Sequence, residues 1–210
     1  MTTRQPLFIV VVAALALSWA ATVAAGPGRF PATGQTTCWD SNVNIIPCAG
    51  TGQDGEIRAG ARLRYTDNGD GTITDKNTKL TWEKKSDDGT IHDMDNIYTW
   101  EDAFAVHVAS LNTANFAGHN DWRLPNYKEL MSILNLDKAN PAVSSVFNTN
   151  CVPNATVVDG SCTAASTYWS SSSVASRPIL AWWVEFGFGI GLTFGKHDVL
   201  RVRAVWGGSP

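Results

Sequence analysis

The 210-residue sequence predicts an α+β domain with a mainly antiparallel sheet, two helices, and long loops that are cross-linked by disulfide bonds. Residues 62–84 alternate apolar and polar side chains around Asn-Gly and Asp-Gly dipeptides, which is typical of a β-hairpin. Residues 99–111 repeat apolar side chains at helical spacing, and residues 168–206 are β-rich segments separated by Gly and Ser. Because helices lie between a first hairpin and a terminal meander, the two element types segregate as in α+β folds.

The N-terminus has the pattern of a secretory signal peptide. Arg4 precedes an apolar run from Leu7 to Leu17, and small residues follow up to Ala25. This order predicts a signal peptide over residues 1–25, cleaved after Ala25. A retained anchor is the alternative, but the run is shorter than the roughly 20 residues that span a bilayer. We therefore expect secretion to the bacterial periplasm, the cell surface or the medium.

The charge balance excludes some partners. Sixteen basic residues against nineteen acidic ones give a net charge of -3. A mildly acidic chain has no general attraction for nucleic acids or anionic membranes. We expect no nucleic-acid partner and no stable membrane insertion after signal cleavage.

Four cysteines in an exported protein predict disulfides and allow three pairings. Cys38–Cys48 and Cys151–Cys162 are favoured because each pair brackets a short loop rich in Asn, Pro, Gly and Thr. Each bond would stabilise the fold by roughly 2–3 kcal/mol. A metal site is disfavoured because the chain has no C-x-x-C motif and no histidine near these cysteines.

The elements follow in order. Residues 26–61 are a loop-rich N-terminal arm that contains the first disulfide, and residues 62–84 form the hairpin. Thr99 can cap a first helix, whose inward face is Trp100, Phe104, Val108 and Leu111.

Pro125 forces Leu124 into extended geometry, and Asn126 with Glu129 has the spacing of a capping box for a second short helix. Residues 137–167 are a polar loop region with the second disulfide. The predicted strands that follow are residues 168–172, 181–186, 190–194 and 200–206.

Several motifs occur together in one order. They are NGDGTITDKNTKLTW, DWRLPNYKEL, YWSSS, WWVEF and a closing RVRAVWGG. The set resembles the bacterial family named after the C-terminal domain of the Legionella collagen-like adhesin, over residues 62–208. The resemblance implies a C-type lectin-like fold and a binding module rather than an enzyme. The name-giving member is an adhesin that binds sulfated polysaccharides.

The DWRLP motif predicts structure more than chemistry. Trp122 and Leu124 alternate with Arg123, so the two apolar side chains should face one core. Arg123 should form an ion pair with Glu129, and Arg203 with another carboxylate, since unpaired burial of a charge is costly. An arginine directed at a ligand is the alternative.

Calcium is a candidate cofactor of the DNGDGTITD segment. Asp67, Asn68, Asp70 and Asp75 supply hard oxygen donors. Their spacing does not fit an EF-hand, and a hairpin turn explains the same residues. We expect no cofactor, with calcium left open.

Catalysis is disfavoured. The run Ser170–Ser173 lies outside any G-x-S-x-G elbow and has no histidine nearby. The RLP segment is also similar to formylglycine-generating enzymes, but that chemistry needs reactive cysteines, and all four cysteines here have a structural explanation.

Two groups of residues are candidates for ligand binding. Aromatic side chains could stack on sugar rings, and Trp182 and Trp183 must point to opposite sheet faces because they are adjacent on a strand. The aromatic candidates are Tyr168, Trp169, Trp182, Trp183 and Phe188. The cationic candidates for a sulfated glycan are Arg177, Lys196, His197, Arg201 and Arg203. The alternatives are a covered aromatic core and a solvated or ion-paired charged face.

The sequence thus predicts a secreted, non-catalytic binding or adhesion module for a polysaccharide or another cell-surface ligand. Its favoured contact residues are Trp169, Trp183, Lys196, Arg201 and Arg203. One alternative is a structural component of a cell-surface or periplasmic protein complex, which would self-associate or bind a protein. A formylglycine-generating type of enzyme is less favoured.

Overall fold

The N-terminal arm begins the structure, a computed structural model that describes residues 30–208. The predicted signal peptide lies outside the described residues. The arm contains a small hairpin of β1 (Cys38–Trp39) and β2 (Ile45–Ile46), followed by α1 (Asp54–Ile57). The Cys38–Cys48 disulfide closes the hairpin. Two backbone hydrogen bonds of 2.8 Å join Ala61 to Phe30 and Ala32, so the two ends of the described arm lie side by side.

A four-stranded antiparallel sheet follows. Its order is β3 (Tyr65–Asp67), β4 (Thr72–Asp75), β5 (Leu80–Glu83) and β9 (Val205–Gly207). The predicted hairpin is present, with a third strand added by Leu80–Glu83.

The predicted strand over residues 200–206 is wrong in extent and in partner. The strand starts only at Val205, and it pairs with β5 rather than with the preceding meander. Leu200 and Arg201 each form a single bridge, and residues 202–204 are all buried. Residues 200–203 alternate apolar and charged side chains like a strand with one solvated face, but the structure buries Arg203 together with its apolar neighbours.

A second, three-stranded sheet is the predicted meander. It consists of β6 (Thr167–Val174), β7 (Arg177–Glu185) and β8 (Ile190–Gly195), paired antiparallel in that order. The Cys151–Cys162 disulfide lies in the loop region before β6. The structure therefore contains both of the favoured cysteine pairings.

The first predicted helix is a continuous stretch of three parts: α2 (Trp100–Asp102), a π-helical segment (Ala103–Val108) and α3 (Ala109–Thr113). Thr99 caps it by accepting the Asp102 N–H at 3.1 Å. The wide π turn buries the adjacent residues His107 and Val108 together.

The second predicted helix is α4 (Tyr127–Met131), and the capping box of Asn126 and Glu129 is formed. Short 3₁₀ turns occur at Phe116–Gly118 and Ser145–Phe147. Every helix within residues 30–208 is too short or too polar to cross a lipid bilayer.

Strands β6 and β7 of the three-stranded sheet bury side chains on both faces. One face contributes Tyr168, Val184 and Phe186 to the larger core cluster, with Leu130 of α4. The other face contributes Trp169, Ala181 and Trp183 to a second cluster under the helical stretch. The α+β architecture, with mostly antiparallel sheets, few short helices and two disulfides, is confirmed; its assignment to the lectin-like superfamily stays a prediction.

Candidate functional site

The DWRLP motif fastens α4 to the end of the chain. Arg123 forms a two-bond ion pair with Glu129, with both N–O distances at 2.7 Å. The backbone groups of Arg123 exchange two 2.9 Å bonds with Val205 of β9. Trp122 and Leu124 are both buried, as is Pro125, whose carbonyl accepts the Ser171 N–H. The motif is a structural junction in this protein.

The two tryptophans favoured for ligand contact lie in the interior. Trp169 is fully buried, and its indole Nε1 donates to the Tyr98 carbonyl at 2.9 Å. Trp183 is buried and stacks on Phe194. In this structure neither ring offers a surface on which a sugar could stack, because the second core cluster covers both. Of the other aromatic candidates, Tyr168 is buried, Trp182 is half-buried on the opposite sheet face, and Phe188 is exposed.

Arg203 is also in the interior, and its predicted ion pair is wrong. Its guanidinium donates to the Cys162 carbonyl and the Thr163 hydroxyl, both at 2.7 Å, and to the Glu83 carbonyl at 3.3 Å. It lies over the Phe147 ring. No carboxylate within residues 30–208 forms a salt bridge with Arg203. Neutral oxygens accept its hydrogen bonds instead.

The remaining basic candidates are spread over separate places. Arg201 pairs with Asp95 at 3.0 Å and also donates to the Met94 carbonyl and the Ser166 hydroxyl. Lys196 donates to the Ser173 hydroxyl at 2.7 Å and lies 3.8 Å above the Trp100 ring. Arg177 and His197 are exposed. The five cations therefore do not form one patch.

The acidic hairpin residues serve their own turns. Asp67 accepts the Gly69 N–H and the Lys84 ammonium, Asp70 accepts both donors of Thr72, and Asp75 accepts from Asn77 and Thr78. A different trio, Asp87, Asp93 and Asp95, brings three carboxylates within 4.8 Å of one another. In that trio Asp93 already accepts the backbone N–H groups of Gly89 and Asp95. The expectation of no cofactor stays a prediction, with calcium as its open alternative.

A buried charged cluster around Glu83 is the largest feature that the sequence did not indicate. The Glu83 carboxylate contacts His92 Nδ1 and His107 Nε2 at 2.9 Å, Lys85 Nζ at 3.1 Å, and the Ala204 N–H at 2.9 Å. Glu83, Lys85 and His107 are fully or almost fully buried.

Burial opposes the charge of Glu83, but His107, Lys85 and the hydrogen bonds outweigh it and hold the pKa of Glu83 well below its usual range. Burial lowers the pKa of His107. The Glu83 carboxylate opposes this shift, and its Oε2 lies 2.9 Å from His107 Nε2.

A cleft lies between the arm and the domain. Its volume is about 410 Å³. The lining residues come from the arm, from the segment before β3 and from the loop after α4: Ala32, Thr33, Gly34, Gln35, Thr36, Arg58, Arg62, Leu63, Asn135 and Ser144. Local sequence patterns do not predict this cleft, because its walls come from three segments that are far apart in the chain.

Two arginines supply the positive charge of the cleft. Arg58 has left-handed backbone geometry at the end of α1, and its Nε donates to the Gly55 carbonyl at 2.9 Å. The guanidinium of Arg62 is exposed and has no hydrogen bond or ion pair to any residue between 30 and 208. The two carboxylates beside the cleft accept hydrogen bonds from the arm: Asp54 accepts from Thr33, and Asp137 accepts from Thr36 and Thr37.

A family model described as the Lcl C-terminal domain matches residues 71–206, from the turn before β4 into β9. The matched segment contains the three-stranded sheet, the helical stretch, the DWRLP junction and most of the four-stranded sheet, whereas β3 and most of the cleft lining precede it. A comparison with curated proteins gives no significant match. The chain belongs to the Lcl C-terminal domain family, as its resemblance to the Legionella collagen-like adhesin predicts.

Proposed function

We propose that the protein is a secreted, non-catalytic adhesion module that binds an anionic polysaccharide in the cleft between the arm and the domain. Membership of the Lcl C-terminal domain family indicates a surface or adhesion-related module. The two disulfides are typical of an oxidising compartment. All four cysteines are bonded, which supports a binding role over formylglycine-generating chemistry.

The chemistry of the cleft lining is the observation that supports this ligand class. Arginine binds sulfate and carboxylate groups through paired N–H donors, and both Arg58 and Arg62 lie at the cleft. Neutral amide and hydroxyl side chains from Gln35, Asn135 and Ser144 can exchange hydrogen bonds with sugar hydroxyls. A cleft that combines fixed cations with neutral donors and acceptors suits a charged sugar chain.

The surface favoured from the sequence is a weaker candidate. Arg203 is buried and Arg201 is paired with Asp95, and Lys196 already donates to the Ser173 hydroxyl and lies over the Trp100 ring. Arg62 can bind an anion without first breaking a side-chain hydrogen bond or an ion pair to any residue between 30 and 208.

The test is retention on a dextran sulfate column, eluted with salt, with a neutral dextran column beside it. The double variant Arg58→Ala/Arg62→Ala should elute at lower salt, with affinity at least about tenfold weaker, because two charge-assisted contacts are lost. Lys76→Ala/Lys128→Ala removes the same charge from exposed positions outside the cleft and is the matched control.

Unchanged retention of the arginine variant would rule out the cleft. If Lys196→Ala/Arg201→Ala then lost retention, the surface predicted from the sequence would be the binding site. Passage of the wild-type protein straight through the column would refute an anionic polysaccharide as the ligand.

A further inference from the structure

Strand β8 exposes a row of large apolar side chains. Ile190, Leu192 and Phe194 point to one face of the sheet and are 46%, 56% and 42% exposed. The strand Ile190–Gly195 contains no charged residue and no proline. Natural edge strands are usually blunted by lysine, proline or a bulge, because an unprotected edge pairs with other chains. This edge lacks all three devices.

The backbone edge of β8 is also open. Among the described strands, β8 pairs with β7 alone. The register places Ile190 opposite Glu185, and the Lys196 N–H donates to the Ile179 carbonyl at 3.0 Å in the same register. Residues alternate between the two sides of an antiparallel strand, so the even-numbered residues bond to β7. The N–H and C=O groups of Gly191 and Thr193 therefore point away from the sheet.

We infer that two copies of this chain associate through β8, antiparallel about a twofold axis at Leu192. This inference concerns a surface separate from the cleft and does not depend on the proposed function. In this register Gly191 of each copy lies opposite Thr193 of the other, and the two pairs form four backbone hydrogen bonds. The two three-stranded sheets become one six-stranded sheet with the same patch on both copies, as a twofold interface requires.

The side chains are complementary in the same register. Leu192 meets its own copy, and Ile190 of each chain meets Phe194 of the other, all at non-hydrogen-bonded positions where side chains approach most closely. These contacts cover the exposed apolar row.

The charges at the ends of the strand are complementary too. Lys196 of one copy faces the turn before β8 of the other, where the N–H of Phe188 donates to the carboxylate of Glu185 at 2.7 Å. The Lys196 ammonium has no salt bridge to a carboxylate within residues 30–208. Pairing thus brings an ammonium beside a carboxylate at both ends, and the twofold axis makes the two ends identical.

Sedimentation velocity of the purified chain over a concentration series tests the association. The wild-type protein should sediment as a dimer, and Leu192→Lys should weaken dimerisation at least tenfold because two ammonium groups would meet at the axis. Val158→Lys adds the same charge at an exposed apolar position away from β8 and should stay dimeric. A wild-type protein that is monomeric at every concentration would overturn the inference and would leave the edge for a strand of another protein.

Cysteine cross-linking tests the register. Leu192→Cys should form a covalent dimer on mild oxidation, because about 4.5 Å separates the Cα atoms of such a pair, within disulfide reach. Ile190→Cys alone should not cross-link, but a mixture of Ile190→Cys and Phe194→Cys should. A dimer that resists Leu192→Lys and gives no Leu192→Cys cross-link would place the interface elsewhere and refute the proposal.

Discussion

At the scale of single residues, Glu83 has the most consequential position. Glu83 is the last residue of β5. Its carboxylate contacts His107 of the π-helical segment and accepts the N–H of Ala204, in the buried segment before β9. One side chain thus joins three parts of the chain that are distant in sequence. Its burial requires compensation, which Lys85 provides as the nearest buried cation.

Glu83→Gln should lower the free energy of unfolding by about 3–5 kcal/mol, because the substitution leaves the Lys85 ammonium buried without its anion. Urea denaturation at neutral pH measures the change. Adding Lys85→Met should recover part of the loss, since the uncompensated charge is then removed. Glu101→Gln, at an exposed position in the first turn of α2, should cost less than about 1 kcal/mol. A loss for Glu83→Gln no larger than the control would show that the cluster contributes little.

The same residues show where sequence interpretation stops. Cys38–Cys48, Cys151–Cys162 and the Arg123–Glu129 pair depend on residues close together in sequence, so spacing predicts them. The run Glu83-Lys84-Lys85 is charged, which normally indicates an exposed segment, and here all three are buried. Lys85 pairs with Glu83 inside the run, but the other partners, Asp67, His92 and His107, come from elsewhere in the chain, so local sequence patterns do not predict them.

At the scale of elements, α4 is too short to be stable alone and depends on its ends. Asn126 Oδ1 accepts the Glu129 N–H at 2.9 Å, and the Glu129 carboxylate accepts the Asn126 N–H at 2.8 Å. The Ser172 hydroxyl accepts the Tyr127 N–H at 3.0 Å. The cap therefore determines where the helix starts on the second sheet.

Asn126→Ala should destabilise the protein by about 1 kcal/mol, since the Glu129 N–H loses its acceptor. Asn126→Asp keeps an oxygen at the same place and should remain close to wild type. Thermal unfolding of the three proteins separates the cases. Equal melting temperatures for the alanine and aspartate variants would contradict a role for the side-chain oxygen.

Elements that depend on local pattern were predicted, and those that depend on distant contacts were not. The capping box and the Thr99 cap are visible in sequence because their partners lie three residues away. Residues 200–204 look like a strand, but they form only isolated bridges at Leu200 and Arg201, and Val202, Arg203 and Ala204 are all buried. Only tertiary packing determines that this segment runs through the core instead of forming a regular strand.

At the scale of the whole molecule, the arm is fastened to the family domain by few contacts. Asp137, in the loop after α4, accepts the N–H groups of Thr36 and Thr37 at 2.8 and 3.1 Å and the Thr36 hydroxyl at 2.8 Å. Burial opposes its charge, but these hydrogen bonds outweigh it and lower the pKa of Asp137. The Leu136 N–H, from the same loop, donates to the Thr33 carbonyl at 2.7 Å, and together these contacts hold the arm where Thr36 and Asn135 both line the cleft.

Asp137→Ala should therefore release the arm locally without unfolding the domain. Hydrogen exchange at the Thr36 and Thr37 amides should accelerate about tenfold, which corresponds to a loss of about 1.4 kcal/mol of protection. The amides of the core strands β5 and β7 should keep their protection. Retention on dextran sulfate should fall in parallel, since Gln35 and Thr36 leave the cleft wall. Asp137→Asn keeps one acceptor oxygen and should show a smaller effect on both measurements. Faster exchange with unchanged retention would separate the arm from ligand binding, and a general loss of protection would instead make Asp137 a determinant of the whole fold.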